Sequence, residues 1–518
     1  MRKRGKALSM LAAVTLLGGA IAAGSATATT EPPGTEPAGT EPMAETTEAM
    51  GTEPAGTEAA GTEAAGTEAA AEEGAGAGSG SGSDSGIEGA DLAGTTVTIL
   101  SVESSEGVEG QAAQAALDEF AEANGMTIEH VGTGSFEDDI GTRVAAGTPP
   151  DIAGFPQPGN LASFARTGDV LPLPDDVVAN VSANWPADSM GFTNVDGTQY
   201  GVPYKVDLKS LVWYIPSFWE ESGYAVPTTL DEFYAVSEQM IANGDTPLCV
   251  GIEDGAATGW TFTDWVEEFV LRNEGIDFYN QWTSHEVPFN SPEVVEAMQQ
   301  VVDLWNTEDM VFAAGGSITA TAMGDNADPL VAGDCMMHRQ AHFYSAFMTT
   351  AGASFGTDEG QVSTFQFPAN EGNPVLSGGI NAGAFRDAPE VWAVMQYLGS
   401  PEYANARQAA QAELNADVGA SGFLTANLNV DPAGFNETEL GMLDILAAGD
   451  PLAFDGSDLM PGEVGAGTFW SEGVSLVNGD IDAQTAADNI EASWPDTGGG
   501  ETTDTAAATE PAAETTTG

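Results

Sequence analysis

The spacing of apolar and polar residues changes period along this chain, and each change predicts an element. Thr95–Leu100 (Thr-Thr-Val-Thr-Ile-Leu) reads as a buried strand. From Gly110 to Asn124, Ala113, Ala116, Leu117 and Phe120 recur at helical spacing. Met126–Val131 alternates as a strand, Phe136–Ala146 reads as a helix, and Asp151–Phe155 as a third strand. This β-α-β-α-β order predicts a doubly wound α/β sheet. Such sheets bind ligands beyond the carboxyl ends of their strands, here Ser101–Gly107 and Phe155–Asn160.

The middle of the chain is more helical. Thr229 caps a helix predicted to run to Asn243, with Phe233, Val236, Met240 and Ile241 on one face. Asp264–Arg272, Pro292–Trp305 and Ala388–Leu398 repeat the i, i+3, i+4 spacing. Phe233, Met298, Met395, Trp305 and Trp392 are therefore assigned to the core. Between these blocks, Val202–Tyr214 mixes polar and apolar residues over a strand-length run opened by a Pro. It reads as an extended crossover between two lobes, and a crossover lines a cleft where a small polar ligand binds. It holds Lys205 and Lys209, the only lysines beyond the first six residues, beside Asp207.

Neither end of the chain shows such a period. Arg2, Lys3, Arg4 and Lys6 precede the apolar run Ala7–Ala23 and the A-x-A-like Ala26-Thr27-Ala28. That is the pattern of a secretory signal peptide over 1–28. Residues 29–90 repeat Gly-Thr-Glu-Pro/Ala, and the acidic tail 497–518 has the same composition. Neither buries enough apolar surface to offset ordering entropy, so both are expected to be disordered, the first as a tether. The mature protein is expected to be exported, whether extracellular, envelope-associated or periplasmic. No Cys near the cleavage site supports a lipid anchor. The folded part, 91–496, exceeds one hydrophobic core, so two lobes are expected.

The chain carries 79 Asp and Glu against 12 Lys and Arg, a formal net charge of −67. That excludes nucleic acid and anionic membrane as electrostatic partners. There is no phosphate-cradling Gly-rich loop ending in Lys-Ser/Thr, no Gly-x-Ser-x-Gly and no His-Glu-x-x-His. Adjacent acids such as Asp138-Asp139 and Glu267-Glu268 are commonplace in so acidic a chain and define no catalytic pair. No cofactor is called for. His338 and His342, four apart, would share a face if helical, yet no third ligand accompanies them, so no metal is expected. Cys249 and Cys335, the only cysteines, read as one disulfide; closing a loop of about 85 residues contributes roughly 4 kcal/mol. Trp260 and Trp265 lie in Gly-Trp-Thr-Phe-Thr-Asp-Trp, and Trp470 follows the Gly-rich Gly462–Gly467. Such rings suit the C–H faces of a sugar while carboxylates and amides take its hydroxyl rim, although a Trp at each place also suits a lobe core.

With these features the chain resembles the extracellular solute-binding proteins of sugar ABC importers. Within them it resembles the maltose-binding protein class and its α-glucoside-binding branch, over about Val97–Trp494. Gly147-Thr148-Pro149-Pro150-Asp151-Ile152 running into Phe155-Pro156-Gln157-Pro158-Gly159 carries the resemblance, as does the Val202–Tyr214 crossover. So do Thr246–Glu253 with Ala256–Trp260, Leu376–Ala382 as a second crossover, and Gly467-Thr468-Phe469-Trp470. The resemblance implies a type II periplasmic-binding-protein fold with a ligand cleft between hinged lobes. Lobe 1 would take about 91–206 plus 378–430, and lobe 2 about 207–377 plus 431–496. Hinge strands would lie near Val206–Lys209, Ser377–Asn381 and after about Val430. It also implies a monomer without catalysis that hands a small carbohydrate to ABC permease subunits. Asp207 falls at a sugar-binding carboxylate, Trp260 and Trp470 at ring-stacking positions, and Phe155 and Gln157 in the first-lobe loop that meets the sugar. Glu106 or Glu109 follows the first strand, while Lys205, Trp265, Arg339 and Gly378 are placed at the cleft. Pro158 stands where maltose binders commonly carry an acid, so maltodextrin specificity is not implied. A polyol or glycerol phosphate in the same cleft, and a secreted glycosidase, are the alternatives.

Overall fold

The computed structural model describes residues 84–416 and 419–495. The expected signal peptide, nearly all of the tether and the acidic tail lie outside them. Strands β1 (Thr96–Ser101), β2 (Thr127–Gly132) and β3 (Ile152–Phe155) run parallel with β1 between the other two. Their connections are α1 (Val108–Asn124) and α2 (Phe136–Ala145), as the sequence period requires. The loop after β1 crosses closely over the end of β2. A Cβ on Gly132 would sit 1.6 Å from the Glu103 carbonyl oxygen, so only glycine permits the crossing.

A small hairpin, β4 (Asn194–Val195) with β5 (Thr198–Gln199), leads into the predicted crossover. That segment forms two strands, β6 (Gly201–Leu208) and β7 (Leu211–Tyr214). There follow β8 (Leu248–Cys249), β9 (Val311–Phe312), β10 (Met337–Arg339), β11 (Ser363–Gln366), β12 (Val375–Ala384) and β13 (Leu452–Phe454). One sheet runs β13-β12-β3-β1-β2, with β6 also paired on β12; the other runs β11-β7-β10-β8-β9. Lys209-Ser210 is therefore the point at which the chain leaves one sheet for the other. It returns between β11 and β12, and leaves again after β13, which lies parallel to Val375–Ser377. This third crossing falls later than the expected position after about Val430. The intervening helix Glu437–Ala448 packs Met442, Leu443 and Leu446 over Leu208, Leu211 and Val375, covering the other crossings.

Each sheet has its own core. Val97, Ile99, Leu117, Ile128, Trp392 and Met395 fill one. Phe233, Phe262, Trp265, Trp282, Met298 and Trp305 fill the other. Thr229 caps the Leu230–Asn243 helix by accepting the Glu232 N–H. The helix expected at Asp264–Arg272 spans Trp260–Thr283, with a non-helical break at Gly275 (φ 79°, ψ 177°). Cys249 and Cys335 form the disulfide, their Cα atoms 5.5 Å apart, joining the end of β8 to the segment just before its neighbour β10. His338 lies in β10 and His342 in a 3₁₀ turn, so they share no helix face. Among the described residues no helix is long and apolar enough to cross a membrane.

Candidate functional site

A cavity of about 600 Å³ opens beside the crossover, between the two sheets. Its base is the crossover itself, Lys205, Asp207 and Lys209, with Gly379 and Ile380 of β12. One wall comes from the carboxyl ends of β1 and β3 and the starts of α1 and α2: Glu103, Glu106, Glu109, Glu137 and Gln157. The facing wall carries Asp254, Trp260, Phe343, Asp458 and Trp470. The parallel strands thus deliver side chains where a doubly wound sheet is expected to bind.

Both lysines are already neutralised. Lys205 Nζ lies 2.6 Å from Glu109 Oε1, 3.4 Å from Asp207 Oδ1 and 4.0 Å from Glu103 Oε1. Lys209 Nζ lies 3.1 Å from Asp264 Oδ1 and 3.9 Å from Asp458 Oδ2, and contacts Asp455. Burial opposes their charge, but the surrounding carboxylates hold both ammonium groups well above the usual lysine range. Arg407 Nη2, fully buried, lies 2.6 Å from Glu103 Oε1. Burial would lift Asp207, yet Lys205, His342 and Lys209 hold it below its ordinary value. Oxygens of Asp264, Glu267 and Asp455 lie close enough together to hold a metal ion, but the Lys209 ammonium already supplies the cation.

Other buried groups are left unpaired. Glu103 Oε2, Gln157 Oε1 and Trp470 Nε1 have no hydrogen-bond partner within the protein. Their residues are only 3, 4 and 4% exposed. A buried polar group without a partner costs about 1–3 kcal/mol, and all three of these residues line the cavity. Trp260 is oriented by its indole N–H, which donates to Asp254 Oδ2 at 2.8 Å. Its ring tilts against Phe343 at 6.2 Å between centroids. Gly259, at φ 115°, brings the start of this helix against Trp470, where a Cβ would lie 2.5 Å from the Trp470 carbonyl oxygen. The two indoles therefore share one wall.

Six of the residues expected at the site line the cavity: Asp207, Trp260, Trp470, Gln157, Glu106 and Lys205. Four do not. Phe155 ends an entirely buried strand and packs on Phe136, Phe164 and Phe385; its neighbours Pro156 and Gln157 reach the cavity instead. Trp265 lies five residues beyond Trp260, about 140° round the helix, and packs on Trp305 and Phe367. Arg339 is buried in ion pairs with Asp264 (2.9 Å) and Glu268 (2.8 Å). Gly378 faces the Lys209 stem, its Cβ position 2.9 Å from Lys209 Cε, while the next residue, Gly379, lines the cavity. Glu103, Glu137, Asp254, Phe343, Asp455 and Asp458 were not expected there. For the acids, nothing local separates a cavity carboxylate from the many on the surface.

Residues 104–405 match the family of bacterial extracellular solute-binding proteins. The osmoprotective compounds-binding protein GgtB of Synechocystis sp. is 36% identical over 411 residues, 77% of this chain and 92% of that protein. The alpha-glucosides-binding periplasmic protein AglE of Rhizobium meliloti is 34% identical over 425 residues, 79% of this chain and 88% of that protein. Among solved structures, the bacterial solute receptor AcbH superposes with a TM-score of 0.64 at 18% identity, covering 77% of this chain and 98% of that one. Maltose-bound MalE3 of T. maritima gives 0.59 at 19% identity, covering 77% and 98%. These structures share the two-lobed α/β fold.

Proposed function

As this chain belongs to the bacterial extracellular solute-binding protein family, we propose that it binds a non-anionic sugar, an α-glucoside, between its lobes and delivers it to the permease of an ABC importer. The observation that carries this reading is the state of the cavity's cations. Among the described residues lining it, only Lys205 and Lys209 are basic, and both are held by carboxylates. An anionic solute such as glycerol phosphate needs free donors of positive charge, so the site disfavours it. What stays unpaired suits a hydroxylated solute: the acceptors Glu103 Oε2 and Gln157 Oε1, the donor Trp470 Nε1, and the indole wall. The similarity to an alpha-glucosides-binding protein supports the glucoside class. That to an osmoprotective compounds-binding protein supports a small solute.

In this reading the lobes meet at three crossings, Lys209-Ser210, the 367–374 link and the 452–456 segment, and close over the solute as a hinge. The signal peptide and tether read from 1–90 would export the domain and hold it near its permease. Thermal unfolding of the mature protein against trehalose, sucrose, maltose, glucose, polyols and glycerol phosphate tests it. A ligand at 100 times its Kd stabilises by about 2.7 kcal/mol. A shift with an α-glucoside supports the reading; a shift with glycerol phosphate and no sugar overturns it.

A further inference from the structure

Charge is not balanced evenly across the cavity. At the crossover, Glu103, Glu109 and Asp207 face Lys205 and Arg407. Further along the same crossover, the Lys209 ammonium is taken up by Asp264 and Asp455, and Asp458 reaches it only at 3.9 Å. Glu137, from the first turn of α2, has no basic partner among the described residues. Its Oε1 accepts a hydrogen bond from Gln157 Nε2 at 2.9 Å. That bond engages the amide's donor side and leaves Gln157 Oε1, in a side chain only 4% exposed, without a partner. Asp254 adds a third carboxylate at this side, and its oxygen orients Trp260. The end of the cavity bounded by Glu137, Gln157, Asp254 and Asp458 thus offers acceptors and negative charge from both lobes.

We infer that this end is a subsite for a protonated amine, so that the preferred solute is a glucoside-like sugar carrying one basic nitrogen. The inference rests on the reading of the cavity as a sugar site and adds a charge to its solute. A hydroxyl at this position would donate one hydrogen bond and leave the carboxylates unneutralised. An ammonium donates up to three and supplies the missing charge. Burial, first, and then the negative charge of neighbouring carboxylates raise Glu137 and Asp458 above the usual range, the mark of acids short of a counter-charge. Because Glu137 comes from one lobe and Asp254 and Asp458 from the other, the amine would bridge them and favour closure.

Calorimetric titration of the mature protein with trehalose, sucrose and maltose, and with the monoamino-monodeoxy counterpart of each, tests this at pH 7. The amine is expected to bind about tenfold or more tightly than its parent, the difference between a charged and a neutral hydrogen bond. Glu137→Gln should shrink that ratio. Parents that bind with amines no tighter overturn the inference and leave the sugar reading standing. If no member of either series binds, the sugar reading falls and the inference with it. An undiminished ratio in Glu137→Gln removes the amine from this subsite.

Discussion

Lys209→Met removes the ammonium shared by Asp264, Asp455 and Asp458 while keeping the apolar stem. Its Nζ lies 3.1 Å from Asp264 and 3.9 Å from Asp458, and contacts Asp455, whose side chain is 1% exposed. Removing one partner of a buried ion pair costs about 3–5 kcal/mol, because the remaining charge stays buried and uncompensated. The sign with pH follows. In the wild type, burial would lift Asp455, but Lys209 holds it below the usual range. Its contribution is present above the unfolded value and is lost as pH falls through the folded one. In the wild type burial already lifts Asp264 to about 6 and Asp458 above its ordinary value; in the variant Asp455 joins them and all three lose the ammonium, so the folded state is penalised further at neutral pH and relieved as they protonate. The gap between the two proteins is therefore widest near pH 7.5 and narrows toward pH 5. Urea unfolding followed by tryptophan fluorescence reads it out. With an m-value of about 3 kcal/mol/M, the midpoint drops by about 1–1.7 M at pH 7.5 and by less at pH 5. An unchanged midpoint at pH 7.5, or a deficit that grows on acidification, would refute the reasoning.

Gly259→Ala places a methyl 2.5 Å from the Trp470 carbonyl oxygen at φ 115°, so sugar affinity should fall about tenfold or more in calorimetry while far-UV circular dichroism is retained. Arg407→Leu strands the buried Glu103 carboxylate, and the urea midpoint should drop by an amount corresponding to about 3–5 kcal/mol. His338 and His342 are each pushed down to about 4, by burial above all, so their ring protons should show no NMR titration between pH 8 and 5.5. Because the unfolded chain takes up those protons near pH 6.5 and the folded chain refuses them, their contribution to stability is lost as pH falls from 6.5 toward 4.

The sheet-forming half of the fold was legible because period alone carries it. Val97, Ile99, Ile128 and Ile152 are buried where strand patterns put them, and Ala116 and Leu117 where the helix pattern did. The crossover was legible through Lys205 and Lys209, since two lysines in so acidic a chain call for partners. The site was legible only in part. Trp260 and Trp265 share one short motif, and only the helical phase, which needs the true start of the helix at Trp260, sends one to the cavity and the other to the core. Arg339 looked like a cleft cation because its partners, Asp264 and Glu268, are distant in sequence. Glu137, Asp254 and Asp458 converge from three separate elements, and no local pattern marks them among 79 acids.

Calorimetric titration of trehalose, sucrose and maltose into the mature protein and into Trp260→Ala tests the central claim most directly. Saturable one-to-one binding of at least one α-glucoside is predicted, weakened in Trp260→Ala by about 10- to 100-fold with the loss of a stacking ring. Binding of equal strength in the variant would move the solute out of this cavity, and binding of glycerol phosphate with no α-glucoside would contradict the account.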